Sequence, residues 1–292
     1  MQLGIIGLGR MGSNMRERLR RAGHDVIGYD RDPQITDATD LADLVTRLRT
    51  PRAVWLMVPA GEPTRETVRE LSVLLTEGDV VVEGGNSRYT DDLEHAGTLG
   101  HSGVGYVDAG VSGGVWGLRN GYALMVGGSE ADVSRLMPIF ESLKPEGEFG
   151  FVHAGGVGAG HYAKMVHNGI EYALMHAYAE GYELLAASEV VDDVSGVIKS
   201  WREGTVIRSW LLDLLDAALE EDPELEKLSG YTEDSGEGRW TVEEAIRLRV
   251  PMNVITASLF ARFASRQDDS PAMRAVSALR HQFGGHATRQ AR

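Results

Sequence analysis

Cysteine is absent from the 292 residues. That absence removes a disulfide scaffold, a thiolate zinc site, an iron–sulfur cluster and a cysteine nucleophile together. Positive charge is scarce: 29 Lys and Arg face 43 Asp and Glu, a formal net charge of -14. Broad binding of nucleic acid through its phosphates is therefore disfavoured, and an anionic small molecule needs a local basic cluster working against the overall field. Apolar stretches are broken by Glu, His, Lys or Arg well short of the roughly 18 residues that suggest a membrane span. Residues 1–6 enter an apolar run with no basic segment and no small-residue cleavage site, so no targeting peptide and no membrane partner are expected. The expectation is a soluble cytoplasmic protein.

What remains is an ordinary globular balance, 42% hydrophobic and 25% charged, over a length that suggests two domains. Short β-branched runs predict strands over 3–6, 26–29, 53–58, 80–83 and 105–107, with a further pair near 123–126 and 149–152. Amphipathic stretches at 11–22, 62–75 and 91–100 lie between them. Such alternation predicts an α/β fold, a Rossmann-like doubly wound sheet over residues 1–158. Helical periodicity then takes over, and residues 159–292 read as an all-α substrate and dimerisation domain. Within it Thr241-Val242-Glu243-Glu244 reads as a capping-box start, with Pro251 and Pro271 as punctuation. The acidic run 220–226 reads as a solvated helix end, 231–239 as an ordered loop, and the polar tail beyond His286 as a fraying end. His24, His95, His101 and His153 show no ligand spacing and read as surface or turn residues. Trp201, Trp210 and Trp240 read as helix packing.

Gly7-Leu8-Gly9-Arg10-Met11-Gly12 follows the first strand and opens a helix. Gly7 allows the tight turn, Gly9 lets a pyrophosphate approach the backbone, and Gly12 lets helix and strand pack closely. The helix N-terminus offers unpaired N–H groups to phosphates. Asp30 ends the second strand, where a carboxylate would bond ribose hydroxyls and repel a 2′-phosphate. This favours NAD over NADP, although the neighbouring Arg31 could hold such a phosphate.

The run Lys164-Met165-Val166-His167-Asn168-Gly169-Ile170-Glu171-Tyr172 carries the chemistry. On a helix Lys164, His167, Asn168 and Glu171 fall within about one third of the circumference. A solvated Lys–Glu pair is the bland alternative, but the segment is otherwise apolar, and such groups are costly to desolvate without a purpose. A partly desolvated lysine suits a general base.

Taken with Gly84-Gly85-Asn86-Ser87, Gly110-Val111-Ser112-Gly113-Gly114, Gly158-Ala159-Gly160-His161, Gly238-Arg239-Trp240-Thr241, Phe260-Ala261-Arg262 and Arg280-His281-Gln282-Phe283-Gly284-Gly285-His286, the pattern resembles the 6-phosphogluconate dehydrogenase family. That family lies within the β-hydroxyacid dehydrogenase superfamily, and the length is similar to its short form. The resemblance implies oxidative decarboxylation with Lys164 as general base and Glu171 as general acid, without a metal. It implies that Asn86, Ser112, Gly113, Gly114, His167 and Asn168 hold the carboxylate and hydroxyls of a sugar acid. Asn86 would also meet the cofactor beside Gly7, Leu8, Gly9, Arg10, Met11, Gly12, Asp30 and Arg31. Tyr172, Arg262 and Arg280 match phosphate contacts, and His286 matches another tail contact. In this family Arg280 and His286 arrive from a neighbouring subunit, which implies at least a homodimer. One departure stands out: Ser235 and Glu237 occupy positions where the long form places a lysine and a threonine on the phosphate. A carboxylate there is unfavourable, so Glu237 must point away or Arg239 must compensate. Alternatives are another β-hydroxyacid dehydrogenase, acting on an unphosphorylated sugar acid or a 3-hydroxyisobutyrate-like substrate, and a non-catalytic sensor of NAD and a sugar phosphate.

Overall fold

The computed structural model describes Met1–Arg289, so the expected polar tail falls partly on residues 290–292, outside the described residues. The chain divides into two compact units between His167 and Asn168. In the first, strands and helices alternate: β1 Gln2–Ile6, α1 Arg10–Arg21, β2 Asp25–Tyr29, α2 Leu41–Arg47, β3 Ala53–Leu56, α3 Glu62–Leu74, β4 Val80–Glu83, α4 Tyr89–Gly100 and β5 Gly105–Ser112. A 3₁₀ turn, Gly114–Trp116, and α5 Gly117–Asn120 lead to β6 Ala123–Gly128, α6 Glu130–Leu143 and β7 Phe151–Gly155. The strands form one sheet in the order β2-β1-β3-β4-β5-β6-β7.

The strand sequences explain why the sheet is covered on both faces. Leu3, Ile5, Trp55, Val80, Val82 and Val107 pack on one side with Met15 and Leu19 of α1 and Phe140 of α6. Ile6, Val54, Leu56, Val81 and Tyr106 pack on the other with Leu44, Val68, Leu71 and Leu99. Successive residues go to opposite faces, so strands that are apolar at every position need helices on both sides. The first five strands pair in parallel.

The structure corrects the sequence reading at several points. β3 stops at Leu56, whereas β5 runs on to Ser112 because β6 pairs antiparallel along it from Val107↔Gly128 to Ser112↔Ala123. Helices α2, α5 and α6 occur where the sequence reading named none; α2 and α6 each start at a side-chain cap, Asp40 bonding the Asp43 amide and Ser129 that of Asp132. His95 is a core residue of α4, 3% exposed and beside the Tyr106 hydroxyl, not a surface histidine.

The second unit continues α7 Ala159–Ala186 and adds α8 Val194–Ser200, α9 Trp210–Glu221, α10 Glu237–Leu248, α11 Asn253–Ala264 and α12 Pro271–Gly284. The expected capping box is not a helix start. α10 begins a turn earlier, after Gly236 at φ 94, and Thr241 lies inside it with its hydroxyl donating to the Glu237 carbonyl at 2.8 Å. Glu237, Gly238 and Arg239 are therefore helical, not part of a loop. Arg249 closes α10 in a left-handed conformation just before Pro251, and Ser270 caps α12 just before Pro271, as the punctuation predicts. The acidic run ends α9 at Glu221 and is mostly exposed. Trp201 packs with Ile198, Leu212 and Leu219, but Trp210, first in α9, remains half exposed.

Candidate active site

The glycine turn between β1 and α1 separates two demands on glycine. A Cβ on Gly7 would lie 2.5 Å from the Met57 carbonyl oxygen, and one on Gly12 would lie 1.9 Å from that of Gly7. Those two positions are dictated by the chain's own packing. A Cβ on Gly9 would meet nothing within 4 Å, and Gly9 lines a cleft of about 650 Å³. Bareness at Gly9 serves whatever enters the cleft, and a pyrophosphate at the start of α1 fits it. Gly7, Arg10, Met11, Gly12, Asp30, Arg31 and Asn86 line the same cleft. Leu8 does not; its side chain is buried in the core and its amide donates to Asp30 at 2.6 Å. The second Asp30 oxygen accepts from the Asp32 amide at 2.9 Å, so the carboxylate is fixed at the end of β2. Arg31 reaches out to Glu66 at 3.9 Å, and Glu66 and Glu70 add two more carboxylates to the lining.

The loop after β4 borders this cleft. A Cβ on Gly84 would strike the Trp55 indole nitrogen at 2.3 Å, and the Gly85 amide donates to Glu83 at 2.7 Å. Asn86 then stands exposed at the cleft. At the end of β5, Gly113 and Gly114 adopt φ of 140 and 51, backbone that a side chain would strain, so this turn beyond Ser112 needs glycine.

Lys164 lies in the second turn of α7 and is 7% exposed. Gly110 of β5 gives it room: a Cβ there would lie 2.5 Å from the Lys164 Cβ and 2.8 Å from the Gly160 carbonyl oxygen. Asp108, two residues earlier on the strand, holds the start of α7 by accepting from the Gly158 amide at 2.6 Å and the His161 amide at 2.9 Å.

Beneath this turn lies a polar cluster that the sequence reading missed. Glu83, Asp92 and Asp108 are fully buried, and His161 is 2% exposed. His161 Nδ1 meets Asp92 at 2.8 Å, and its Nε2 stands 3.6 Å from Glu83 Oε2. The Tyr106 hydroxyl donates to Asp92 at 2.8 Å. Burial opposes a charge on His161, but Asp92 and then Glu83 overcome it and push the imidazole up to about 10. Burial likewise pushes Asp92 up to about 6, against the pull of His161. The surrounding carboxylates therefore favour the protonated, imidazolium form of the ring. The sequence did carry a signal: Glu83 and Asp108 are carboxylates within otherwise apolar strands.

His167, the last residue of the first unit, is exposed; in the second unit Asn168 and Tyr172 are nearly buried and Glu171 is half-buried. Gly169 lets α7 approach α10, since a Cβ there would lie 2.8 Å from Thr241 Cγ2. The Arg262 guanidinium stacks 3.8 Å from the Tyr172 ring centre and donates to the Glu233 carbonyl at 3.1 Å. The Tyr172 hydroxyl accepts from the Ser235 amide at 3.0 Å and meets its side chain at 3.2 Å. Three residues expected near a phosphate, Tyr172, Arg262 and Ser235, are thus brought together. Arg239 and Arg266 both pair with Asp234, a half-buried residue whose side chain is 3% exposed, at 2.9 Å and 2.7 Å, whereas Arg262 makes no ion pair among the described residues. Glu237 is withdrawn, 2% exposed in the first turn of α10. Arg280 on α12 and His286 just beyond it are exposed, and no hydrogen bond or ion pair joins them to Tyr172 or Arg262 among the described residues.

The profile of the NAD binding domain of 6-phosphogluconate dehydrogenase matches residues 2–146, and that of the C-terminal domain of the same enzyme matches residues 160–290. The chain belongs to the 6-phosphogluconate dehydrogenase family. A Haloferax volcanii relative named 6-phosphogluconate dehydrogenase, NAD(+)-dependent, decarboxylating is 43% identical over 98% of both chains. The Plasmodium falciparum 6-phosphogluconate dehydrogenase, solved with NADP+ and with its substrate 6-phosphogluconate, superposes with a TM-score of 0.84 at 26% identity. The match covers 97% of this chain but 65% of that longer one. A Mycobacterium tuberculosis 3-hydroxyisobutyrate dehydrogenase shares the fold at a TM-score of 0.71 and 22% identity, over 96% of this chain and 99% of that one. Among the described residues no helix is long and apolar enough to cross a membrane.

Proposed function

We propose that this family member is a cytoplasmic, NAD-dependent enzyme that oxidises and decarboxylates 6-phospho-D-gluconate to ribulose 5-phosphate and CO2, working as a homodimer. The observation that carries the reading is the nearly buried Lys164 amine, seated against Gly110 on a helix that presents Glu171 two turns further on. Lys164 takes the proton of the C3 hydroxyl as the alcohol is oxidised; burial favours the neutral amine this requires. A bound nicotinamide would accept the hydride. Once C3 is a ketone, the C1 carboxylate leaves as CO2 because the carbonyl takes up the electron pair as an enol. Glu171 protonates that enol at C1. Asn86, Ser112, Gly113, Gly114, His167 and Asn168 hold the carboxylate and hydroxyls.

The withdrawn Glu237 and the Tyr172–Arg262–Ser235 cluster support a phosphorylated substrate over an unphosphorylated sugar acid. Carboxylates of Asp30, Glu66 and Glu70 around one cleft support NAD over NADP, since each repels a 2′-phosphate. Arg280 and His286 complete the phosphate contacts of a partner copy. In support, Met273, Val276, Leu279 and Phe283 form an exposed apolar row along α12.

Steady-state rates with 6-phosphogluconate and gluconate, each with NAD and NADP and with CO2 release followed, test the reading. Turnover should be fastest with 6-phosphogluconate and NAD, with one CO2 per NADH. NADH without CO2, or equal rates on gluconate, would overturn it.

A further inference from the structure

We infer that Glu83, Asp92 and His161 act together as a buried positioning device that locks the Lys164 turn of α7 and the Asn86 loop to one another. The inference rests on the reading of Lys164 as the general base. Glu83 faces two ways: one oxygen holds the Gly85 amide next to Asn86, and the other stands 3.6 Å from His161 Nε2. His161 lies on α7 one turn before Lys164, so the two side chains share a helix face. Its ring is held by Asp92 of α4 and its backbone amide by Asp108 of β5. The loop bearing Asn86 and the helix bearing Lys164 thus meet through the His161 ring, alongside the Tyr89–Tyr162 ring contact at 5.1 Å that also joins α4 to α7.

Buried ion pairs can often be replaced by hydrophobic residues of similar volume without loss of stability, because burying charge is costly even when it is paired. Their place here is better explained by what they connect. Within the first unit the titratable groups around this turn are Glu83 on β4, Asp92 and His95 on α4, Tyr106 and Asp108 on β5, and His161 on α7 itself. Carboxylates outnumber the imidazolium, and His161 shares a helix face with Lys164, so a negative charge removed from the cluster is expected to act on the Lys164 amine.

The test uses the full chain with Glu83→Gln, His161→Gln and, as reference, Lys164→Ala. Glu83→Gln keeps the shape and an acceptor for the Gly85 amide but removes a negative charge. The ammonium form of Lys164 becomes harder to hold, so the acid limb of the kcat–pH profile should move down by about half a pH unit or more. His161→Gln breaks the link between loop and helix. It should lower kcat on the order of tenfold, with the Kd for NAD changed less than about threefold. A merely structural cluster would lower Tm and leave the limb in place. An unmoved or upward limb in Glu83→Gln, or wild-type kcat in folded His161→Gln, overturns the inference. If His161→Gln does not fold, the limb in Glu83→Gln decides alone. Should Lys164→Ala retain turnover, the general-base assignment fails instead, and the two failures are told apart.

Discussion

Replacing Gly110 by Ala puts the proposed geometry under direct load. Gly110 lies in β5 among fully buried strand residues, and the added methyl would sit 2.5 Å from the Lys164 Cβ and 2.8 Å from the Gly160 carbonyl oxygen. Ordinary carbon contacts are about 3.5–4.0 Å, so the start of α7 must retreat by about 1 Å. Neither obstacle is the free tip of a side chain that could swing aside; both belong to the backbone or are fixed to it. Overpacking of this kind costs about 1–3 kcal/mol of stability. The effect on chemistry is larger in proportion, because a shift of about 1 Å in a catalytic group can lower kcat on the order of 100-fold, or about 2.7 kcal/mol of barrier. The assay is kcat and KM with 6-phosphogluconate and NAD, alongside thermal melting and NAD titration. The expected result is a folded variant with a modestly lower Tm, near-normal NAD affinity and a collapsed kcat. A kcat within about threefold of wild type would refute the claim that the β5–α7 contact sets the place of the amine.

Gly9→Ala should leave Tm unchanged, because the new methyl meets no protein atom, yet weaken NAD by about tenfold or more; a lower Tm with intact NAD affinity would contradict the assignment of Gly9 to the ligand. Arg262→Ala should raise KM for 6-phosphogluconate more than it lowers kcat, and an unchanged KM would remove Arg262 from phosphate recognition. His161, raised from 6.5 to about 10, stabilises the fold fully below pH 6.5 and loses that contribution as pH rises toward 10. Urea unfolding should therefore show stability falling over that window, by at most about 1.4 kcal/mol per pH unit, and a flatter profile in His161→Gln; equal slopes would show the ring to be neutral.

What the sequence disclosed and what it concealed follow the range of the interactions involved. The glycine turn was legible because its demands are local: strand, turn and helix are contiguous, and Asp30 follows at the end of the next strand. Lys164, Asn168 and Glu171 were legible as a face because helical spacing is a local rule. The buried cluster was not, since Glu83, Asp92, Asp108 and His161 come from four elements and meet only when the sheet assembles. His95 was misread for the same reason, as nothing near it in the chain announces Tyr106. Thr241 failed differently: its pattern fits a capping box, but Gly236 can adopt φ 94 and start the helix a turn sooner. The antiparallel β5–β6 pair lengthened β5 beyond its apolar run, because ladder hydrogen bonds carried the strand on to Ser112.

The overall negative charge bears on how an anionic substrate can be held at all. With a formal net charge of -14, arginines already neutralised by carboxylates offer a phosphate little. Near the Ser235 loop three arginines are available in sequence, but Asp234 claims two of them. Its carboxyl, which burial alone would raise, is held below the usual range by Arg266, the Gly236 amide and Arg239. Among the described residues Arg262 meets the Tyr172 ring, the Glu233 carbonyl oxygen and the Met175 sulfur, none of which cancels its charge. The ring also fixes the guanidinium plane, so less freedom is lost when two of its N–H groups meet phosphate oxygens. One oriented arginine is little for a doubly charged group in an acidic protein. That shortage supports the proposal that Arg280 and His286 are supplied by a second copy of the chain, since among the described residues no hydrogen bond or ion pair joins either to Arg262.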